Sequence, residues 1–229
     1  MGNTGIDAMR ANNLQEPLMD MAEATGGRAV LGTFAFEQAL TDVADDFDSF
    51  YSLGYQSPQR GDGEFRDIQV RVKRGGLRVR HRSGFIDKPM AERVGDRTLA
   101  SLLYNLEANP LGISVDFGRP KKEKRGRYLL PVLVRVPLGS VTLLPIDDRA
   151  EGRLQFYLSV QDEDGGVADI HGKPYPVTLA GDQVAAASGQ EMGYAVDLRV
   201  RPGLSKVGVG VWDELSDAQS FLLKQVRIE

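Results

Sequence analysis

Leu154-Gln155-Phe156-Tyr157-Leu158-Ser159-Val160 places an apolar side chain at every second position and runs out at the turn signal Asp164-Gly165-Gly166. That period of two belongs to a strand with one buried face. The same rhythm repeats on both sides of it. Upstream, Leu130-Val132-Val134-Val136 alternates, and Pro131 and Pro137 argue for an edge position because proline cannot donate to a ladder. Val141 and Leu143 form a short second strand, and Val177 and Leu179 another after a proline-rich stretch. Downstream, Tyr194-Val196-Leu198-Val200 passes through Arg201-Pro202-Gly203 into Val207-Val209-Val211, and a last strand runs from about Phe221 to Ile228. Seven short strands in about 100 residues have the size and spacing of an immunoglobulin-like antiparallel β-sandwich. The expected fold class is therefore α+β, mainly β, with that sandwich over residues 128–229.

The segments before the sandwich read differently. Leu14, Leu18, Met21, Ala22 and Thr25 share a helical face, stopped by Gly26-Gly27. Ala29-Val30-Leu31 is wholly apolar, as in a strand buried on both faces of a parallel sheet. Thr33 caps a second helix in which Phe36, Leu40, Val43, Phe47 and Phe50 recur at spacings of four and three, opposite Glu37, Asp42, Asp45 and Asp48. One parallel strand with two helices cannot close a sheet, so residues 1–58 read as a truncated α/β segment. Residues 59–127 then carry a β-hairpin, in which Ile68, Val70 and Val72 alternate with Gln69, Arg71 and Lys73, and Leu77 and Val79 with Arg78, Arg80 and Arg82. A helix follows, with Asp96 as N-cap, the stripe Leu99, Leu102, Leu103 and Leu106, and a stop at Asn109-Pro110. Ile113, Val115 and Phe117 alternate as a further strand before a charged loop.

Charge divides the chain along the same lines. Residues 1–59 hold two basic and nine acidic side chains, residues 60–127 seventeen and nine, and residues 128–229 nine and fourteen, within a net charge of −4 over 229 residues. With no cysteine, disulfides, thiolate metal sites and cysteine nucleophiles are excluded. No apolar run reaches the length of a membrane helix, and residues 1–13 lack the basic start and apolar core of a signal peptide.

Catalytic chemistry finds little to use. His81 shares strand parity with Leu77 and Val79 and packs at the hairpin end, while His171 lies in a loop flanked by glycine and proline. No nucleophile elbow, phosphate loop or dinucleotide fingerprint occurs, and Val207-Gly-Val-Gly-Val211 lies in a strand without the following helix a phosphate cradle needs. The expectation is a non-enzyme with no catalytic, cofactor-binding or metal residue. Asp162-Glu163-Asp164 offers oxygen ligands for calcium, but a solvated turn is its default reading. The sharpest surface feature is the basic face of Arg71, Lys73, Arg78, Arg80 and Arg82, suited to an anionic partner. Aromatic interleaving is absent, which argues against nucleic acid, and the acidic helix face of Asp42, Asp45 and Asp48 is an internal match.

Residues 14–85 carry a resemblance. Leu18 to Ala29 is similar to the last helix and strand of von Willebrand factor type A domains. Phe50-Tyr-Ser-Leu-Gly-Tyr55, Gly63 to Lys73 and Gly76 to Phe85 resemble the exit of the type A-related proteins of the acidobacterial kind. The resemblance implies an extracytoplasmic, non-catalytic interaction or scaffold module with an unknown protein partner, its β-rich region following the type A domain. The metal-binding Asp-x-Ser-x-Ser motif of that domain does not occur, so the chain reads as a C-terminal piece. Loops such as Ala180 to Glu191 would meet the partner. The unpaired edge of the Val30 strand would favour self-association. Nucleic-acid or anionic-surface binding through the basic hairpin is the alternative.

Overall fold

The computed structural model describes residues 4–31, 36–48, 50–54, 61–77, 79–168 and 171–229. The chain forms two compact units, Met1–Pro89 and Met90–Glu229. The first holds α1 (Thr4–Thr25), α2 (Phe36–Asp48), β1 (Phe65–Asp67) and β2 (Gly84–Ile86). The second holds α3 (Met90–Tyr104), β3 (Ser114–Phe117), β4 (Lys121–Lys122), β5 (Tyr128–Pro137), β6 (Leu144–Ile146), β7 (Arg149–Gln161), β8 (His171–Ala180), α4 (Val184–Ala187), β9 (Glu191–Val200), β10 (Gly203–Asp213) and β11 (Gln219–Ile228).

The second unit is built on alternation. β7 pairs antiparallel with β10 over residues 154–161 and with β8 over 149–158. Because these ranges overlap, β8 and β10 lie on opposite edges of β7, and β11 extends the sheet beyond β10. A second antiparallel sheet places β5 between β9 on one side and β3 and β4 on the other. The inward residues of the two sheets make one core: Leu130, Val132, Val134 and Val136 of β5 meet Leu154, Phe156, Leu158 and Val160 of β7 and Val207, Val209 and Val211 of β10. Across the layers the Phe156 ring stacks on Tyr194 of β9, with centroids 4.3 Å apart, and Tyr175 meets both edge-on at 6.0 Å. The chain is thus α+β and mainly β, with two facing antiparallel sheets.

β5 is central, not the edge strand its prolines suggest. The Pro131 carbonyl accepts from the Gly118 N–H, so the backbone polar groups of Pro131 face the side of β3 and β4. There they meet the gap between Phe117 and Lys121, where no acceptor awaits the missing N–H. Pro137 has the same parity and lies beyond the end of the β3 pairing. The ladder to β9 is therefore uninterrupted from Tyr128 to Pro137.

α3 also departs from expectation. It starts at Met90, six residues before Asp96, and ends at Tyr104, where Asn105 takes a left-handed φ of 55° and Leu106 N–H donates to the Ser101 carbonyl at 3.1 Å. Of the expected stripe only Leu102 is buried, while Leu103 and Leu106 are exposed. The buried face is Val94, Gly95, Thr98, Ser101 and Leu102. It lies on β10, where a Cβ on Gly208 would come within 3.0 Å of Leu102 Cβ, and one on Gly210 would collide with the Thr98 hydroxyl. In Val207-Gly-Val-Gly-Val211 the valines fill the sandwich while the glycines admit the helix to the opposite face. Helix α3 and strands β3 and β4 therefore belong with the sandwich, where the sequence division at residue 128 separates them.

In the first unit, Gly26 closes α1 with a φ of 72° and Gly27 N–H bonds to the Ala22 carbonyl, as the double glycine predicts. The expected strand at Ala29-Val30-Leu31 does not form, and Val30 is exposed. Among the described residues no parallel neighbour lies beside it, and an extended segment without one has no ladder to join. Among the described residues the hairpin is paired only at its base, by β1 with β2 and by the bond from Ile68 N–H to the Ser83 carbonyl. Beyond that base its described residues form no ladder, an arm with a turn at Gly75-Gly76. Two strands with no layer to cover their apolar face hold a ladder poorly, and clustered cations along them oppose it further.

Candidate functional site

One end of the sandwich carries a depression of about 250 Å³ lined by Leu138, Gly139, Val141, Leu143, Leu179, Val184, Ala187 and Ser188. One wall is the short turn Leu138–Ser140 and the segment after it. The other is the end of β8 and the connection through α4 to β9. The walls are held together by backbone. Leu138 N–H donates to the Gln190 carbonyl at 2.9 Å, and a Cβ on Gly139 would come within 2.6 Å of the Ser188 carbonyl oxygen. On the far side of the first wall, the Ser140 hydroxyl reaches the Leu111 carbonyl at 2.7 Å and the Pro137 carbonyl at 2.8 Å. The Ser188 hydroxyl is turned to its own helix, donating to the Ala185 carbonyl at 2.8 Å. The lining side chains are aliphatic apart from the Ser188 hydroxyl, and none of them is ionisable. The aliphatic part of such a surface suits desolvation of an apolar group.

The segment Ala180 to Glu191, expected to face a partner, supplies Val184, Ala187 and Ser188, three of the eight lining residues. The opposite wall was missed. Val141 and Leu143 read as a strand, whereas the strand forms one step later, at Leu144–Ile146. Only the Gly139-Ser140 pair hints at a turn there.

The residues of the basic face fall as follows. Arg80 forms an ion pair with Asp46 of α2. Arg71 donates to Gln69 at 3.4 Å, while Lys73 and Arg82 are exposed. Arg78 lies outside the described residues. The structure also brings in Arg28, which no pattern singled out. It reaches Asp42 at 2.6 Å and Asp46 at 3.2 Å. A hydrogen bond from Gln38, and then one from Arg28, hold the Asp42 carboxyl below its ordinary pKa. The acidic helix and the basic arm are thus joined through Arg80 and Asp46, while Arg28, which precedes α2, takes Asp42 and Asp46; the expected Asp45 and Asp48 appear in neither pairing.

The remaining polar candidates are His81, His171 and the acidic turn at 162–164. His81 Nδ1 lies 2.8 Å from the carbonyl of Arg82. The backbone of His171 opens β8 opposite Leu158, and its side chain lies outside the described residues. Asp162 accepts from Gly166 N–H at 2.7 Å and from Arg201 at 3.0 Å, and Glu163 accepts from Leu204 N–H at 3.2 Å, so two carboxylates brace the acidic turn and tie it to the β9–β10 turn. Among the described residues no three His, Asp or Glu side chains converge as metal ligands. Tyr157 is buried, and burial, then the Glu214 carboxylate, pushes its hydroxyl up to about 12. It donates to Gln155, which in turn donates to Glu214, a chain that keeps the tyrosine protonated and structural.

The fold is a helix-backed antiparallel β-sandwich with a mainly aliphatic depression at one end. Neither a protein-family profile nor a curated protein matches the chain. Among solved structures, a structural-genomics target, SoR45, is 11% identical with a TM-score of 0.31, over 51% of this chain and 84% of that one. The β-glucuronidase of Bacteroides uniformis is 9% identical with a TM-score of 0.29, over 51% and 13%. A protein from Archaeoglobus fulgidus is 9% identical with a TM-score of 0.26, over 50% and 91%. Likeness at this level carries no argument about function. No helix among the described residues is long and apolar enough to cross a membrane.

Proposed function

We propose that the chain is a non-catalytic protein-binding module whose sandwich presents the depression between the Leu138–Ser140 turn and α4 to an apolar side chain of a partner protein. The observation that carries this reading is a concave surface with five aliphatic side chains larger than alanine's, Leu138, Val141, Leu143, Leu179 and Val184, its walls joined by a backbone bond on a packed frame. Its volume of about 250 Å³ lies below the 300–1,000 Å³ usual for small-molecule sites and suits one or two partner side chains. The resemblance of residues 14–85 to von Willebrand A-related proteins supports the same class of role, and an extracytoplasmic setting with it.

Selection of a displayed peptide library on the folded protein tests this. Enriched peptides should share an apolar anchor, and Val184→Asp, which places a charge in the depression, should weaken them at least about tenfold. Binders indifferent to Val184→Asp, or enrichment of polar sequences alone, would overturn the assignment.

A further inference from the structure

The two halves of the first unit carry surfaces that fit one another twice over. In α2, Phe36, Leu40, Val43 and Phe47 stand at i, i+4, i+7 and i+11, which aligns them along one side of the helix. None is buried; Phe36 is 65% and Phe47 75% exposed. The half-buried positions are Ala39, Asp42 and Asp46, roughly a quarter turn away. Asp42 and Asp46 are the carboxylates held by Arg28 and Arg80. The helix therefore anchors to its own chain by its charged side and turns its apolar stripe to solvent, the reverse of the usual arrangement. On the other flank of the stripe, Glu37 and Asp48 are exposed. All five charged residues of α2 are acidic.

The arm between β1 and β2 is the counterpart. Residues 68–83 hold six Lys and Arg and no acid. Val72, Leu77 and Val79 are exposed beside Arg71, Lys73 and Arg74. An acidic, apolar helix and a basic, apolar arm on one chain complement the same pair on a second copy. A two-fold axis satisfies both contacts at once, helix to arm and arm to helix. Stripe-to-stripe pairing of two α2 helices would instead bring acidic flanks together.

We propose that two copies of the chain associate about a two-fold axis, the exposed stripe of α2 in each lying on the basic arm of the other. The interface is made outside the sandwich and is independent of the docking depression. It takes the place of the strand-edge self-association expected at Val30.

Analytical ultracentrifugation of the full chain tests it through exchange of charge. One variant carries Glu37→Lys with Asp48→Lys, the other Lys73→Glu with Arg74→Glu; neither touches the Arg28 and Arg80 ion pairs. Each alone should dimerise at least about tenfold more weakly than the unmodified chain. An equal mixture should recover a dimer containing one of each, because both crossed contacts then pair opposite charges. Phe47→Glu should abolish association, with the helical circular dichroism retained. Dimerisation should also weaken between about 0.01 and 1 M salt, as the Debye length falls from about 30 to about 3 Å. A chain that stays monomeric up to about 100 μM overturns the proposal. So does a dimer unaffected by both variants, a mixture that stays monomeric, or a dimer strengthened by salt, which would mark helix-to-helix pairing.

Discussion

Asp213 ends β10 with no solvent exposure, yet its carboxylate is fully engaged. It accepts from Thr142 N–H at 2.8 Å, Leu215 N–H at 3.0 Å and the Ser216 hydroxyl at 2.8 Å, tying the segment before β6 to the turn that leads into β11. Burial alone would raise its pKa; the bonds from Thr142, Leu215 and Ser216 outweigh it and hold the group below its ordinary value. A carboxyl whose folded pKa is depressed contributes stability above its unfolded pKa of about 3.9, and that contribution is lost as pH falls through the folded value. Asp213→Ala should cost about 2–3 kcal/mol in urea unfolding near neutral pH, since buried N–H groups lose their acceptor. The loss should shrink below about pH 4. A pH-independent difference would show that packing, not the ionised carboxylate, holds the turn.

At the scale of elements, α3 and β10 explain each other. The helix buries small residues, Gly95, Thr98 and Ser101, around Val94 and Leu102, so a reading by hydrophobic stripe selects Leu103 and Leu106, which the fold leaves exposed. The alternating glycines of β10 were legible as strand; that they clear a bed for a helix was not, because the partner lies about 100 residues upstream. Gly210→Ala places a methyl against Thr98 and should lower stability by about 1–3 kcal/mol, read as a fall in the thermal midpoint. A midpoint unchanged in that variant would mean that α3 has room to withdraw. The prolines of β5 teach a related lesson. A missing N–H forbids a central strand only where an acceptor faces it, and at Pro131 the flanking strands part.

For the whole molecule, the division into two units has an energetic side. Among the described residues the buried apolar side chains, from Val94 to Ile228, all fall in residues 90–229, whereas α2 in the first unit buries none of its own. Residues 90–229 expressed alone should therefore unfold in a single cooperative thermal transition, as single domains of that size do. A broad, non-cooperative melt would show that the sandwich depends on the first 89 residues.

The sequence by itself determined the strands of the sandwich, the double-glycine stop after α1 and the amphipathic stripe of α2, because these follow from periodicity and local backbone preference. It also carried the opposite charges of α2 and the arm. Tertiary structure alone decided that β5 is central, that α3 lies on the glycines of β10, that the Val30 segment forms no strand, and that the Leu138–Ser140 turn completes the depression. It also decided that Arg28 and Arg80 take Asp42 and Asp46, leaving the α2 stripe outward. Each of those outcomes depends on which distant segment comes within a few ångströms, and close approach is set by the packing of the whole chain rather than by any residue's neighbours in sequence.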